Sequence, residues 1–248
     1  MPAFVAVTTD RRAAGPTPDA PPGRVRPALP EVFLKAAVVR ALRAAGLEPV
    51  LLPPAEGDPE PVARWATRSC AGVVITGGAF DIHPSVYGQP VAGRLDRVDA
   101  ARTGLELGLA RRCLHDGVPI LGLCGGLQAL AVAAGGTLVQ DIESDLPHEQ
   151  DASPVQPSHP VDLAAGHLRR VAGVARIHVN STHHQAIWQP GDLRITGRAP
   201  DGVVEVAEHP THPFALGVQW HPELLDDDAA GAAPFRALAK AVRARQRP

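Results

Sequence analysis

The sequence predicts an α/β fold on a parallel sheet covered on both faces, with an antiparallel elaboration in its second half. Ala71–Thr76 (AGVVIT) and Val118–Leu123 are short, continuously apolar runs that alternate with helical segments, the pattern of strands buried on both sides. Beyond Gly136 the chain becomes a series of short strand candidates separated by turns, which fits an antiparallel addition.

The elements follow in order. Ala3–Thr8 reads as the first strand. Gly15 to Pro30 is rich in proline and glycine, and prolines lack the N–H that a helix interior or central strand needs. It reads as a loop, either a plain connection or a cover over a substrate. Glu31–Ala45 reads as a helix, opening after Pro30 with an acidic residue and closing at Gly46. Pro49–Leu52 is a short strand. Ala100–His115 is a helix closed by Asp116-Gly117, and Gly125–Ala134 is a helix that follows the Val118–Leu123 strand directly. Thr137–Gln140, Val161–Leu163, Ala175–Val179, Leu193–Thr196, Val203–Ala207 and Ala215–Trp220 are strands, and Pro234–Arg245 is a closing helix. No repeat or linker interrupts the chain, so residues 1–248 read as one domain.

Composition narrows the function. With 248 residues, 45% apolar and 20% charged, the chain can bury a core and is not a disordered segment. A formal net charge of −2 gives no cationic excess, so neither nucleic acid nor an anionic membrane is an expected partner. No apolar run approaches the ~18–20 residues that cross a bilayer. Met1 to Asp10 has no basic lead-in, so no signal peptide is expected. Three cysteines, Cys70, Cys113 and Cys124, are an odd and sparse set. They argue against a disulfide framework and for a reducing, cytoplasmic setting.

The most informative segment is Gly122-Leu123-Cys124-Gly125-Gly126. A buried strand runs straight into a helix with cysteine at the junction and small residues around it. A nucleophile on such a strained turn needs small neighbours, as in the G-x-S-x-G elbow. The helix N-terminus offers unpaired N–H groups and a partial positive charge, both of which favour thiolate over thiol. The Gly125 N–H is suited to an oxyanion. A cysteine in an apolar run is ordinarily a core residue; the flanking glycines argue otherwise for Cys124, whereas Cys70 and Cys113 are assigned to the core.

A thiolate nucleophile needs a partner that holds and returns a proton. Among 11 histidines, His221 stands out in Gly217-Val218-Gln219-Trp220-His221-Pro222-Glu223. In an extended segment residues i and i+2 share a face, so Glu223 can orient His221. A strand-end turn with a surface ion pair is the plainer alternative.

Together these segments resemble the class I glutamine amidotransferase-like fold, and within it the γ-glutamyl-γ-aminobutyrate hydrolase group of the C26 cysteine peptidases. The resemblance runs along most of the chain. It includes Thr76-Gly77-Gly78 with Phe80-Asp81-Ile82-His83-Pro84, Arg102-Thr103 with Glu106, and the Cys124 elbow with Gln128. Further on come Asn180-Ser181-Thr182-His183-His184-Gln185, Asp201-Gly202-Val203-Val204-Glu205 and the segment ending His221-Pro222-Glu223. It implies a flavodoxin-like three-layer sandwich with a mostly parallel central sheet, and a Cys124–His221–Glu223 triad. Gly78 would add a second oxyanion donor beside Gly125. Gln128, Ser181, His183 and His184 would line the glutamyl pocket. The implied activity is hydrolysis of γ-glutamyl amides through a thioester, with a small-molecule substrate and neither metal nor organic cofactor. Two departures bear on substrate choice: Gly125 stands where many relatives carry arginine, and Leu130-Ala131-Val132 lacks an asparagine common there. The competing functions are a glutaminase subunit feeding ammonia to a partner synthetase, and a non-catalytic binding protein on the same fold.

Other motifs have plainer readings. His183-His184 are strand neighbours that point to opposite faces, with no H-E-x-x-H or Cys-x-x-Cys nearby, which argues against a metal centre. Gly77-Gly78 lacks the third glycine of a dinucleotide fingerprint. His148-Glu149-Gln150 reads as a solvated loop or, because the region is irregular, as part of amine-side recognition, and Asp226-Asp227-Asp228 as a turn or helix cap. Trp65, Trp188 and Trp220 read as core. The Leu105–Leu109 helix face suits either the core or a homodimer interface.

Overall fold

The computed structural model describes residues 2–12, 31–54 and 56–246. The Gly15–Pro30 loop expectation lies outside them. Six strands and four helices make up the first half: β1 Ala3–Thr8, β2 Asp10–Arg12, β3 Glu31–Phe33, α1 Ala36–Ala44, β4 Leu47–Leu52, α2 Glu60–Ser69, β5 Gly72–Ile75, α3 Ala100–Asp116, β6 Ile120–Leu123 and α4 Gly125–Ala133. The second half adds β7 Thr137–Val139, β8 His159–Leu163, α5 His167–Ala172, β9 Arg176–Val179, β10 Ala186–Gln189, β11 Arg194–Arg198, β12 Val204–Glu208, β13 Ala215–Val218 and α6 Ala233–Arg245.

A nine-stranded sheet forms in the order β4-β1-β5-β6-β13-β12-β11-β8-β9. The first five strands run parallel, and the antiparallel part continues from β13 outward. Alternation along the buried strands divides the core. Val73, Ile75 and Ile120 join Ala63, Leu109 and Leu130 on the face covered by α2, α3 and α4. Val74, Leu121 and Leu123 join Leu42 and Leu238 on the face covered by α1 and α6. These three layers are the expected α/β arrangement. Leu105 and Leu109 are buried in this core, so that helix face is an interior one.

Three expectations need correction. Glu31–Ala45 is not one helix: Glu31–Phe33 pairs with β2 as a short ribbon, and α1 begins only at Ala36, after an extended Lys35. Val32 and Phe33, β-branched and aromatic, suit a strand better than a helical turn. Trp65 and Trp188 are 47% and 65% exposed, whereas Trp220 is fully buried with its indole N–H on the Ala230 carbonyl at 2.9 Å. Trp65 lies on the outer side of α2, whose buried positions are Ala63, Ala66 and Thr67. Trp188 lies on β10, which pairs only with β7 in a separate two-stranded ribbon. Asp227 does act as a cap, its side chain accepting the Ala229 and Ala230 N–H groups.

Among the described residues no helix is long and apolar enough to cross a membrane.

Candidate active site

The site is built where β6 meets α4. Cys124 has φ 51° and ψ −109°, and it is the only non-glycine residue with positive φ among the described residues. An L-residue reaches this conformation only under strain. The surrounding glycines leave room for it. A Cβ on Gly122 would collide with the Gly126 carbonyl, one on Gly126 with the Ile75 carbonyl, and one on Gly217 with Leu127. Helix α4 therefore sits almost on the backbone of β5, β6 and β13, with its N-terminus at the sulfur.

His221 arrives from the far end of the chain. Strand β13 lies beside β6, pairing Val218 with Leu123, and the Cys124 N–H donates to the Val218 carbonyl at 2.8 Å. His221 Nδ1 meets Glu223 Oε1 at 2.9 Å. The pairing was expected, but the chain makes it across a 3-10 turn, Pro222–Leu224, rather than along an extended strand. Asn180 holds the His221 backbone from both sides: its Oδ1 accepts the His221 N–H at 2.8 Å, and its Nδ2 donates to the His221 carbonyl at 3.0 Å.

The sulfur and the imidazole are coupled. Burial opposes ionisation of Cys124, yet the nearby His221 cation, its hydrogen bond, the His183 ring and the Gly125 N–H together hold the thiol below its ordinary value. Burial likewise opposes a charge on His221. The Cys124 thiolate and the Glu223 carboxylate outweigh it and push His221 up to about 10. Each group therefore favours the charged form of the other. Gln219 adds an amide N–H on the sulfur at 3.7 Å. The other cysteines behave oppositely, since burial raises both Cys70 and Cys113.

The opposite rim is the turn after β5. A Cβ on Gly77 would lie 2.9 Å from the His221 ring and 3.0 Å from Cys124 Cβ, so both side chains pack on that backbone. The buried Arg102 fixes the turn, with Nη2 on the Thr76 and Gly77 carbonyls at 2.7 and 3.1 Å and Nε on Glu106 at 2.7 Å. A Cβ on Gly78 would overlap the Arg102 guanidinium.

Cys124, Gly78, Gly125, Gln128, His183 and His184 line one cavity of about 210 Å³. Ser181 does not: it is fully buried, and its N–H donates to Gln150 Oε1 at 2.7 Å. Gln128 donates to the Gln185 carbonyl at 3.1 Å. His184 reaches Asp81 and Asp141 at 3.2 and 3.3 Å. The same wall carries Asp81, Asp96 and Glu149, three carboxylates without a local sequence signature. Arg94 forks between Asp96 and Glu149. His148-Glu149-Gln150 is a loop that is only partly solvated: His148 is buried, while Glu149 is exposed on the cavity wall, and a bridge between Glu149 and Thr182 ties the two segments together. A larger hollow of about 550 Å³ lies between α1 and the turn after β13, touching Glu223 but not Cys124.

The sequence profile of the peptidase C26 family matches residues 23–223. Rv2859c of Mycobacterium tuberculosis is 39% identical over 204 residues; the match spans 81% of this chain and 65%, just under two thirds, of that protein. The γ-glutamyl-γ-aminobutyrate hydrolase PuuD of Escherichia coli is 34% identical over 213 residues, spanning 81% of this chain and 80% of that protein. The glutaminase domain of Trypanosoma brucei CTPS, solved with bound acivicin, is 14% identical but superposes with a TM-score of 0.62 over 99% of this chain and 96% of that one. The fold is the class I glutamine amidotransferase fold.

Proposed function

The chain belongs to the peptidase C26 family, and we propose that it is a cysteine-dependent hydrolase of γ-glutamyl amides. The observation that carries the reading is Cys124 at a strained strand–helix junction, packed with the Glu223-held His221 ring against the Gly77 backbone. Burial ordinarily keeps a thiol protonated, and here the neighbours of Cys124 draw it below its ordinary value instead.

In this reading the Cys124 thiolate attacks the γ-carbonyl carbon. The developing oxyanion is taken by the N–H groups of Gly125 and Gly78, and losing one such donor typically costs about 10²–10³ in rate. His221 gives its proton to the departing amine while Glu223 steadies the ring, and a thioester remains. His221 then takes a proton from water, which attacks the thioester and releases glutamate. The acidic wall of Asp81, Asp96 and Glu149 supports a substrate bearing an ammonium group.

The test is a panel of γ-glutamyl amides of γ-aminobutyrate, putrescine and ethanolamine, with glutamine alongside and glutamate release as readout. Turnover of at least one amide, abolished in Cys124→Ala, is the expected result. Absence of turnover together with absence of Cys124 labelling by iodoacetamide would overturn it. Release from glutamine alone would move the reading to an ammonia-supplying subunit.

A further inference from the structure

Beside the candidate active-site cavity, three histidines converge on one carboxylate. Glu205 Oε1 on β12 lies 3.6 Å from each of His148 Nδ1, His159 Nε2 and His183 Nε2. All four residues are more than nine-tenths buried, with exposures of 0%, 4%, 1% and 5% for Glu205, His148, His159 and His183. One ligand atom from each of His148, His159 and Glu205 lies within 4.8 Å of the others.

None of the four facing atoms has a hydrogen-bond partner among the described residues, and Glu205 Oε2 has none either. The distances explain why. An N–H···O bond spans about 2.7–3.2 Å, so 3.6 Å is too long. In a tetrahedral site with metal–ligand bonds of about 2.0–2.2 Å, neighbouring ligand atoms lie about 3.4 Å apart.

The outward nitrogens fix the protonation. His148 Nε2 meets the Asp201 carboxylate at 2.8 Å, His159 Nδ1 the Pro160 carbonyl at 3.2 Å, and His183 Nδ1 the Gln185 carbonyl at 3.0 Å. These oxygens only accept, so each outward nitrogen carries the hydrogen. In neutral imidazoles the inward nitrogens then present lone pairs to a carboxylate oxygen. Histidine ligands held from behind by a carboxylate or carbonyl are how metal sites fix tautomer and ring orientation. The orphaned acceptors have no donor between them, and a cation supplies what they lack.

We propose that His148, His159 and Glu205 form a buried site for a divalent metal of zinc type, with His183 Nε2 facing the same carboxylate oxygen. The metal joins β8 and β12 of the antiparallel part to the loop that carries Glu149. The ligands come from three separate stretches of chain, which is why no local motif announces them.

The test uses the full chain. Metal analysis of protein purified without chelator should find about one equivalent of zinc per chain. After chelator treatment, titration with Co²⁺ should give the intense visible bands of tetrahedral cobalt. His159→Gln should lose both signals. Asp201→Asn, which keeps all three ligands, should keep the cobalt bands but weaken affinity by about 10–100-fold. Metal-free protein that binds neither Zn²⁺ nor Co²⁺ would overturn the proposal, leaving a histidine cation paired with Glu205. Undiminished metal in folded His159→Gln would overturn it equally. Neither readout depends on hydrolysis, so the site stands or falls apart from the proposed activity.

Discussion

Replacing His221 by glutamine tests the ion pair directly. The substitution keeps a polar side chain of similar size and removes the cation. Burial is then the dominant influence left on Cys124, and burial raises a thiol. A thiol at the ordinary value of 9.0 is about 1% ionised at pH 7, and a buried one is less so. The wild-type sulfur, held below that value, is ionised more. Alkylation by iodoacetamide at pH 7, followed by peptide mass spectrometry, should therefore slow by about tenfold or more in His221→Gln. Cys70 and Cys113 provide an internal blank, because burial keeps both protonated. The pH dependence follows in sign. With Cys124 lowered and His221 raised to about 10, the pair forms below the ordinary thiol value and is lost as pH rises through the His221 value. The wild-type labelling rate should level off at a lower pH than that of a free thiol, which still gains severalfold per unit below its own value. A His221→Gln rate within about threefold of wild type, or a wild-type rate that climbs like a free thiol's, would refute the reasoning.

Cys124→Ala should fold and lose hydrolysis, and Cys124→Gly should be more stable than the alanine variant by about 1 kcal/mol, because glycine tolerates φ 51°; equal urea midpoints would mean an unstrained junction. Asn180→Ala should lower kcat by about tenfold with KM nearly unchanged, since it frees the His221 backbone and touches no cavity wall; an effect confined to KM would contradict that role. Arg102→Met should destabilise the fold by about 3–5 kcal/mol, leaving Glu106 buried without its partner and two turn carbonyls bare. A loss below about 1 kcal/mol on chemical denaturation would show that the turn holds itself.

What the sequence made legible was local. The elbow could be read because Gly122, Gly125 and Gly126 stand within two residues of Cys124, and the buried strands because AGVVIT is apolar on both faces. His221 and Glu223 could be paired because they are two apart. Helix α2 escaped notice because its buried stripe is mainly small residues, Ala63 and Ala66, while Arg64, Trp65 and Arg68 face out. The acidic wall and the Glu205 cluster could not be read as assemblies, although Asp81, His183 and Glu205 lie in segments that carry the resemblance. Asp81 and Glu149, or His148 and Glu205, become neighbours only once the sheet is closed. Asn180 was visible only as part of a longer resemblance, since nothing local predicts that it grips a backbone 41 residues away.

Strand β13 is the last strand of the sheet in chain order, yet it takes a central place between β6 and β12. During synthesis the earlier parallel strands can assemble while that slot stands empty, because their partners precede them. Until the final segment pairs, Cys124 lacks His221, the strongest of the neighbours that lower its thiol. In the proposed function the sulfur thus gains its proton partner last, in the same event that joins the two parts of the sheet.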